Sequence, residues 1–261
     1  MGNLQGARTA VVVDDDDDVR GLISHVLTLQ NFVVHEARTG RDGVRLVREE
    51  NPDLITLDLG LPDVDGTQVC RAVREMSDAY VVMVTARHDE IDRLIGLEIG
   101  ADDYVSKPFS PRELQARIAA MFRRPRTSVP QAVDAPAIVP ESASTRRHGD
   151  LAIDADGRVA TLSTAEGTQE LTLTRTEFDI LATLLSNPSK VWGRDALLRE
   201  VWGEGWTNDH HLVEVHMGNL RRKLGDSGRS AGFIRTVRGV GYRMEPIPAT
   251  PAQVASSHAA S

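Results

Sequence analysis

The chain holds one cysteine, Cys70, in 261 residues, and aromatic residues make up only 4% of it. A single thiol excludes an intramolecular disulfide and fits a reducing compartment, so a cytoplasmic location is expected. No His or acid stands beside Cys70 in a nucleophile pattern, which makes it a small core or groove residue. No apolar stretch approaches the ~20 residues that a membrane span needs. The start, Met1-Gly2-Asn3-Leu4-Gln5-Gly6, has no secretory apolar region, and Gly6 stands where a myristoylation signal wants Ser or Thr. No membrane partner is expected. Positive charge is also in deficit, with a formal net charge of −8. An evenly spread excess of acid would argue against nucleic acid, but the charge is uneven. Residues 216–243 carry Arg221, Arg222, Lys223, Arg229, Arg235, Arg238 and Arg243 against Asp226 alone. Screening limits each charge to about 8–10 Å, so a polyanion responds to this local surface rather than to the chain average.

The length allows two domains, each with its own core. In the first half, short apolar runs at 10–13, 32–34, 54–57, 81–84 and 104–105 alternate with helical spacing, as in Val19/Leu22/Ile23/Val26/Leu27 and Leu114/Ile118/Met121/Phe122. Such alternation predicts a doubly wound α/β fold with a five-stranded parallel sheet, whose sites form at the carboxyl ends of the strands. Asp15, Asp58, Thr85 and Lys107 each stand at or just past the end of one run. A carboxylate attacking a phosphoryl dianion meets like-charge repulsion. Asp58 as a nucleophile therefore needs a cation, and Mg²⁺ with two or three carboxylates suffices. Asp14 and Asp15 can supply that charge, Lys107 can pair with Asp58 and then with the phosphoryl group, and Thr85 can donate its hydroxyl. Asp17 and Asp18 read as a solvated acidic first turn. Asp63-Val64-Asp65-Gly66 is only a fragment of an EF-hand loop.

Ser110-Pro111-Arg112-Glu113 predicts a capping box with proline at the first helical position. A Pro-rich stretch over 125–148 reads as a flexible linker with a reach of about 25–30 Å. From Gly149 the pattern changes. Leu151-Ala152-Ile153 and Val159-Ala160-Thr161-Leu162 flank the turn Asp156-Gly157, and Leu171-Thr172-Leu173 adds a third short strand. The capping box Thr174-Arg175-Thr176-Glu177 opens one helix, a second covers about Arg194–Val201, and a third runs from near Asn208-Asp209 to Leu224-Gly225. A glycine-turned basic hairpin follows. Three helices and a basic hairpin predict an α+β winged-helix domain over 149–245, with a disordered tail over 246–261.

Val12-Val13-Asp14-Asp15, Leu57-Asp58-Leu59-Gly60-Leu61-Pro62-Asp63-Val64-Asp65-Gly66, Val84-Thr85-Ala86-Arg87 and Gly100-Ala101-Asp102-Asp103-Tyr104-Val105-Ser106-Lys107-Pro108-Phe109 resemble the receiver domain of two-component response regulators over residues 8–124, a flavodoxin/CheY-like fold. The resemblance implies Asp58 as phosphoacceptor, Asp14 and Asp15 as the acid pair, Thr85 and Lys107 as a switch pair, Tyr104 as a residue that turns inward, and the Gly60 carbonyl as a further Mg²⁺ ligand. It also implies a cis Lys107-Pro108 peptide. Gly60 departs from the larger residue usual there, so an unusually open acyl-phosphate site is expected. A haloacid-dehalogenase-type phosphatase would need a second acid where Gly60 stands. The resemblance further implies a symmetric dimer face of the fourth helix, fifth strand and fifth helix, pairing Arg93 with Glu113, Asp103 with Arg117 and Asp102 with Arg124.

The second half is similar to the OmpR/PhoB-type effector, from Leu173-Thr174-Arg175-Thr176-Glu177-Phe178 through Val201-Trp202-Gly203 and Val215-His216-Met217-Gly218-Asn219-Leu220-Arg221-Arg222-Lys223-Leu224 to Thr236-Val237-Arg238-Gly239-Val240-Gly241-Tyr242. This implies a third helix in the major groove and a wing at the minor groove or its phosphates. His211, His216, Asn219, Arg221, Arg222 and Arg238 are the candidate DNA contacts. Asn219 bonds either adenine, giving an A·T preference at one position, or a phosphate or its own helix. The whole resembles a phosphorylation-controlled transcriptional regulator rather than an enzyme. Its expected partners are a sensor histidine kinase, promoter DNA, a second copy on phosphorylation, and RNA polymerase at the loop around Gly203–Asn208 with Trp206. The alternative is a regulator that binds DNA without phosphorylation.

Overall fold

The structure, a computed structural model, describes residues 7–86, 95–122, 145–203, 206, 209–226 and 232–246. Arg93, Arg124, residues 125–144 of the expected linker and the expected tail beyond 246 lie outside the described residues.

Five strands, β1 (Arg8–Val13), β2 (Phe32–Ala37), β3 (Leu54–Leu57), β4 (Tyr80–Thr85) and β5 (Asp103–Ser106), form a sheet of order β2-β1-β3-β4-β5. All its pairings are parallel. Every residue of β3 and β4 is buried. This is why their sequences are unbroken apolar runs: helices cover both faces of a parallel sheet, and no position faces water. The helices are α1 (Asp17–Leu29), α2 (Gly40–Glu50), α3 (Gly66–Arg74) and α4 (Pro111–Met121), with a further helical turn at 95–98. Asp16 caps α1 by accepting from the amides of Asp18 and Val19, so Asp17 and Asp18 fall in the first turn, where the helix dipole favours acid. The expected capping box at α4 does not form. Pro111 opens the helix, but the Ser110 side chain makes no cap bond, and the Glu113 carboxylate accepts from Arg117 instead, at 2.8 and 3.0 Å. An i,i+4 partner one turn on outcompetes the single backbone amide at the cap.

The second half begins earlier than its composition suggests. Thr145–His148, within the stretch read as linker, forms strand β6, followed by β7 (Leu151–Asp154), β8 (Val159–Thr164) and β9 (Gly167–Glu170) in an antiparallel meander. The third strand expected at 171–173 lies instead at β9. The exposed polar pattern of β9 carries no apolar signal, and only pairing with β8 makes it a strand. Helix α5 (Arg175–Ser186) has both bonds of its capping box, Thr174 to the Glu177 amide and Glu177 to the Thr174 amide. Helices α6 (Arg194–Val201) and α7 (His210–Lys223) follow. Strands β10 (Trp192–Gly193), β11 (Ile234–Val237) and β12 (Gly241–Met244) close a small antiparallel sheet that carries the wing. Buried residues of both halves, including Met83, Leu97, Ala101 and Tyr104 of the first and Trp202, Leu212 and Met217 of the second, join one apolar cluster.

One glycine holds the loop after β3 in place. A Cβ on Gly66 would lie 2.3 Å from the Asp58 carbonyl oxygen and 2.6 Å from Leu59 Cα. Both are backbone atoms that no rotamer change can move. Gly66→Ala is therefore expected to destabilise the first domain by about 1–3 kcal/mol, the usual cost of overpacking, read as a lower urea midpoint for that domain's transition.

Candidate phosphoacceptor site and nucleic-acid interface

Asp14 follows β1 and Asp58 follows β3, neighbouring strands whose registered ends are Val13 and Leu57. Each is held by the same sheet: the Asp58 amide donates to the Val13 carbonyl at 2.9 Å, and the Asp14 amide donates to the Ala37 carbonyl at 3.1 Å. The strand order reverses between β1 and β3, which is where open α/β sheets place their ligands. Asp14 and Asp58 are buried while Asp15 is exposed, and ligand oxygens of all three lie within 4.8 Å of one another. Lys107, just past β5, reaches across to this group. Its Nζ lies 2.6 Å from Asp58 Oδ2 and 2.8 Å from Asp14 Oδ2.

Burial pushes the Asp14 carboxyl above its ordinary range; Lys107 opposes that shift and the nearby Asp58 adds to it. Burial alone would lower Lys107, but its bonds to Asp14 and Asp58 outweigh this and hold the ammonium above its usual value. Both signs follow from three charges sharing a small partly dry space. Thr85, at the end of β4, is buried. The Lys107-Pro108 peptide is cis. Gly60 donates its amide to Asp58 Oδ1 at 3.1 Å, and a Cβ there would meet only that oxygen, at 3.8 Å, so the entrance is open. Tyr104 is buried in the unmodified chain.

One residue that supports the site had no sequence signal beyond its place on α1. Arg20, only 5% exposed, donates to the Asp14 carbonyl at 2.9 Å and to Glu36 at 3.2 Å, and also bonds Asp17. Its positive charge lies behind the acid pair and fixes the backbone that carries it.

The expected dimer face is engaged within the chain. Asp102 bonds Arg74 at 2.5 Å rather than Arg124, and it also accepts from the Val81 amide at 2.9 Å. Asp103 meets Arg117 at 3.4 Å, as paired in the sequence reading but inside one chain, and Glu113 is taken by Arg117. Burial raises the Asp103 carboxyl to about 7 against the pull of Arg117. Trp206, expected in a polymerase-facing loop, is buried, and the Arg117 guanidinium lies 3.9 Å from its ring centre.

The candidate DNA contacts divide into three groups. Arg238 is exposed at the wing, and His211 is half-buried near the start of α7. Arg221 braces the hairpin, donating to the Ile234 carbonyl at 2.9 Å and to Thr236 Oγ1 at 2.7 Å. Its position in the last turn of α7 is thus tied to tertiary packing as well as to the helix dipole. His216 and Asn219 are buried against the first domain, and Arg222 donates to Asn219 Oδ1 at 2.7 Å. Burial lowers the His216 pKa, so the ring is neutral there.

Residues 10–119 match the response regulator receiver domain family, and residues 168–244 match the C-terminal domain of transcriptional regulatory proteins. The chain is 41% identical to the transcriptional regulatory protein AfsQ1 of Streptomyces coelicolor, over 90% of this chain and 97% of that one. It is 37% identical to the transcriptional regulatory protein SrrA of Staphylococcus aureus, over 90% and 94%. Among solved structures, a point mutant of RitR is similar over 92% of this chain and 99% of its own, with a TM-score of 0.68 at 25% identity.

Because its buried carboxyl has a raised pKa, Asp14 contributes stability at low pH that is lost as pH rises through that pKa. Asp14→Asn is therefore expected to stabilise the first domain at neutral pH by about 0.5–2 kcal/mol, the range for relieving a strained functional site. A urea titration at pH 7 and pH 4 checks it, with the gain larger at pH 7. Two consecutive domain matches and whole-length relatives make the chain a member of the OmpR/PhoB-type response regulators, phosphorylation-controlled transcriptional regulators with a receiver and a winged-helix DNA-binding domain.

Proposed function

We propose that Asp58 is the phosphoacceptor and that a sensor histidine kinase supplies the phosphoryl group in the cytoplasm. The observation that carries this reading is the Lys107 ammonium held between Asp58 and Asp14 at adjoining strand ends. In this step an Asp58 carboxylate oxygen attacks phosphorus, the bond from phosphorus to the kinase imidazole nitrogen breaks, and the imidazole leaves. An aspartyl phosphate remains, the covalent intermediate expected of an activated carboxylate. Asp14, Asp15 and Asp58, with the Gly60 carbonyl, form an all-oxygen donor set that suits Mg²⁺, and the bound ion would neutralise charge on the transferring phosphoryl oxygens. Asp58 needs its Lys107 partner to stay anionic and poised. Once the phosphoryl group arrives, with its charge of about −1.5 to −2, Lys107 turns from Asp14 to the new oxygens, and the Thr85 hydroxyl donates to them from β4. The shift biases the chain toward a dimer through the face of Asp102, Asp103, Glu113 and Arg117 with Arg93 and Arg124. Two effector domains then occupy adjacent half-sites on promoter DNA, with a gain set by effective concentration.

On the DNA, α7 enters the major groove and the wing sets Arg238 on a phosphate; contact with RNA polymerase follows from the promoter-bound position. Incubation with Mg²⁺ and a small phosphodonor should add one phosphoryl group to the intact mass, and Asp58→Ala should add none. An adduct that persists in Asp58→Ala would move the phosphoacceptor elsewhere. Arg238→Ala should weaken binding to all duplex sequences alike and reduce the magnitude of the salt slope by about one, measured by fluorescence anisotropy across a salt series. A loss confined to one base position would reject the phosphate contact.

A further inference from the structure

The apolar stripe of α7 consists of Leu212, Val213, Met217, Leu220 and, at its end, Leu224, all buried in the winged-helix core. His216 and Asn219 are polar and lie beside that stripe, yet they are 0% and 3% exposed. What covers them is the receiver. Asn219 Nδ2 donates to the Leu97 carbonyl at 3.0 Å, and His216 Nε2 lies 3.3 Å from the Asp102 carbonyl oxygen. The same Asp102 carbonyl lies 3.4 Å from Trp202 Nε1, and the Asp102 carboxylate takes the Thr176 amide at 3.4 Å. A hydrogen bond between His216 and a carbonyl requires the ring to donate from Nε2, which fits the neutral state that burial imposes. Arg117 lies against Trp206, Tyr80 bonds Asp179 at 3.4 Å, and at the rim Arg175 pairs with Asp78 at 3.2 Å.

We infer that this contact is a clamp: the receiver segment from Leu97 to Asp103 holds one flank of α7 and prevents the helix from entering DNA until the domains part. The steric argument is direct. A helix with its side chains is about 10–12 Å across, and the major groove is about 12 Å wide. A groove that admits the helix has no room for a domain packed on its flank, and Asn219 can bond Leu97 or a base edge but not both. Gly218, Glu214 and Arg222 stay at or near the surface, so the clamp covers one side of the helix and leaves it open to a first encounter with a duplex. The inference deepens the proposed function, because Asp102, Asp103 and Arg117 belong to the dimer face of that reading. One contact therefore withholds the DNA-reading helix and the dimer face together, and one opening delivers both.

Neighbouring positions on α7 provide the test in the full-length unphosphorylated chain. Gly218 is exposed with open space around it, and Asn219 is buried. Single variants Gly218→Cys and Asn219→Cys are to be labelled with an aromatic disulfide reagent, with buried Cys70 as the internal reference. Position 219 should react at least about tenfold more slowly than 218, as expected for a thiol that must wait for a local opening. Asp78→Arg, which sets a second cation against Arg175, should narrow the gap about threefold, the scale of a partly exposed ion pair, and adding Arg175→Asp should restore it. Because Asn219→Cys removes one bond of the clamp, acrylamide quenching of tryptophan fluorescence in the chain with Asn219 in place is the second measure. Asp78→Arg should increase quenching there as Trp202 and Trp206 meet water. Equal labelling at 218 and 219, together with quenching that Asp78→Arg does not alter, would overturn the clamp. Phosphoryl acceptance is read separately by mass. A rate gap in a chain that takes no phosphoryl group supports the clamp and refutes the phosphoacceptor reading, and the converse pair of results does the reverse.

Discussion

Buried carboxylates at adjoining strand ends repel one another, and the receiver resolves this with a single ammonium. Lys107 reaches from the end of β5 to Asp58 and Asp14, and without it two acids that are nearly out of water would face each other uncompensated. The cost of that arrangement appears in the raised pKa of Asp14, and its use lies in the ease with which the lysine can change partners. A group held between two anions is poised to move when a third, more strongly charged one arrives. The sheet supplies the rigidity this needs. Strands β3 and β4 are buried along their whole length, and the loop after β3 is pressed so closely on Gly66 that no other side chain fits.

The same economy of partners recurs at Asp102. Its carboxylate bonds Arg74, the Val81 amide and the Thr176 amide, while its carbonyl lies within reach of Trp202 and His216. One residue thus ties the end of α3, the edge of β4 and three elements of the winged-helix half. Arg74 extends the tie, donating also to the carbonyls of Gly100 and Ala79. Charged groups buried this deeply are tolerated only when each is paired and hydrogen-bonded, and losing one partner strands the others. Such a network favours two discrete arrangements over gradual loosening, the behaviour expected of a domain contact that switches.

The winged-helix half shows how one helix can carry three duties. On α7, Leu212, Val213, Met217 and Leu220 make the core, Arg221 fastens the wing through Ile234 and Thr236, and His216 and Asn219 meet the receiver. A basic helix end is therefore not a uniform DNA surface. Within the run Arg221-Arg222-Lys223, Arg221 bonds the hairpin, Arg222 bonds Asn219 and Lys223 bonds Glu177 at 2.6 Å.

The sequence by itself determined the local and near-neighbour features. The apolar runs ended in Asp14, Asp58, Thr85 and Lys107 because buried parallel strands have no polar positions until the chain leaves the sheet, so strand ends and the pocket they share were legible together. The Thr174–Glu177 capping box and the three helices of the second half were legible for the same reason, since their signals span three or four residues. Features that depend on distant partners were not. Strand β9 has no apolar pattern, and Glu113 prefers Arg117 to its cap. Asp102 bonds Arg74 rather than a second copy, and Asn219 faces Leu97 rather than solvent. Each of these outcomes is a competition between alternative partners for one polar group. Their separation along the chain, from 4 residues for Glu113 and Arg117 to 122 for Asn219 and Leu97, carries no information about which wins. Only the packing of the whole chain decides that, because it alone sets which partner is near and which is still in water.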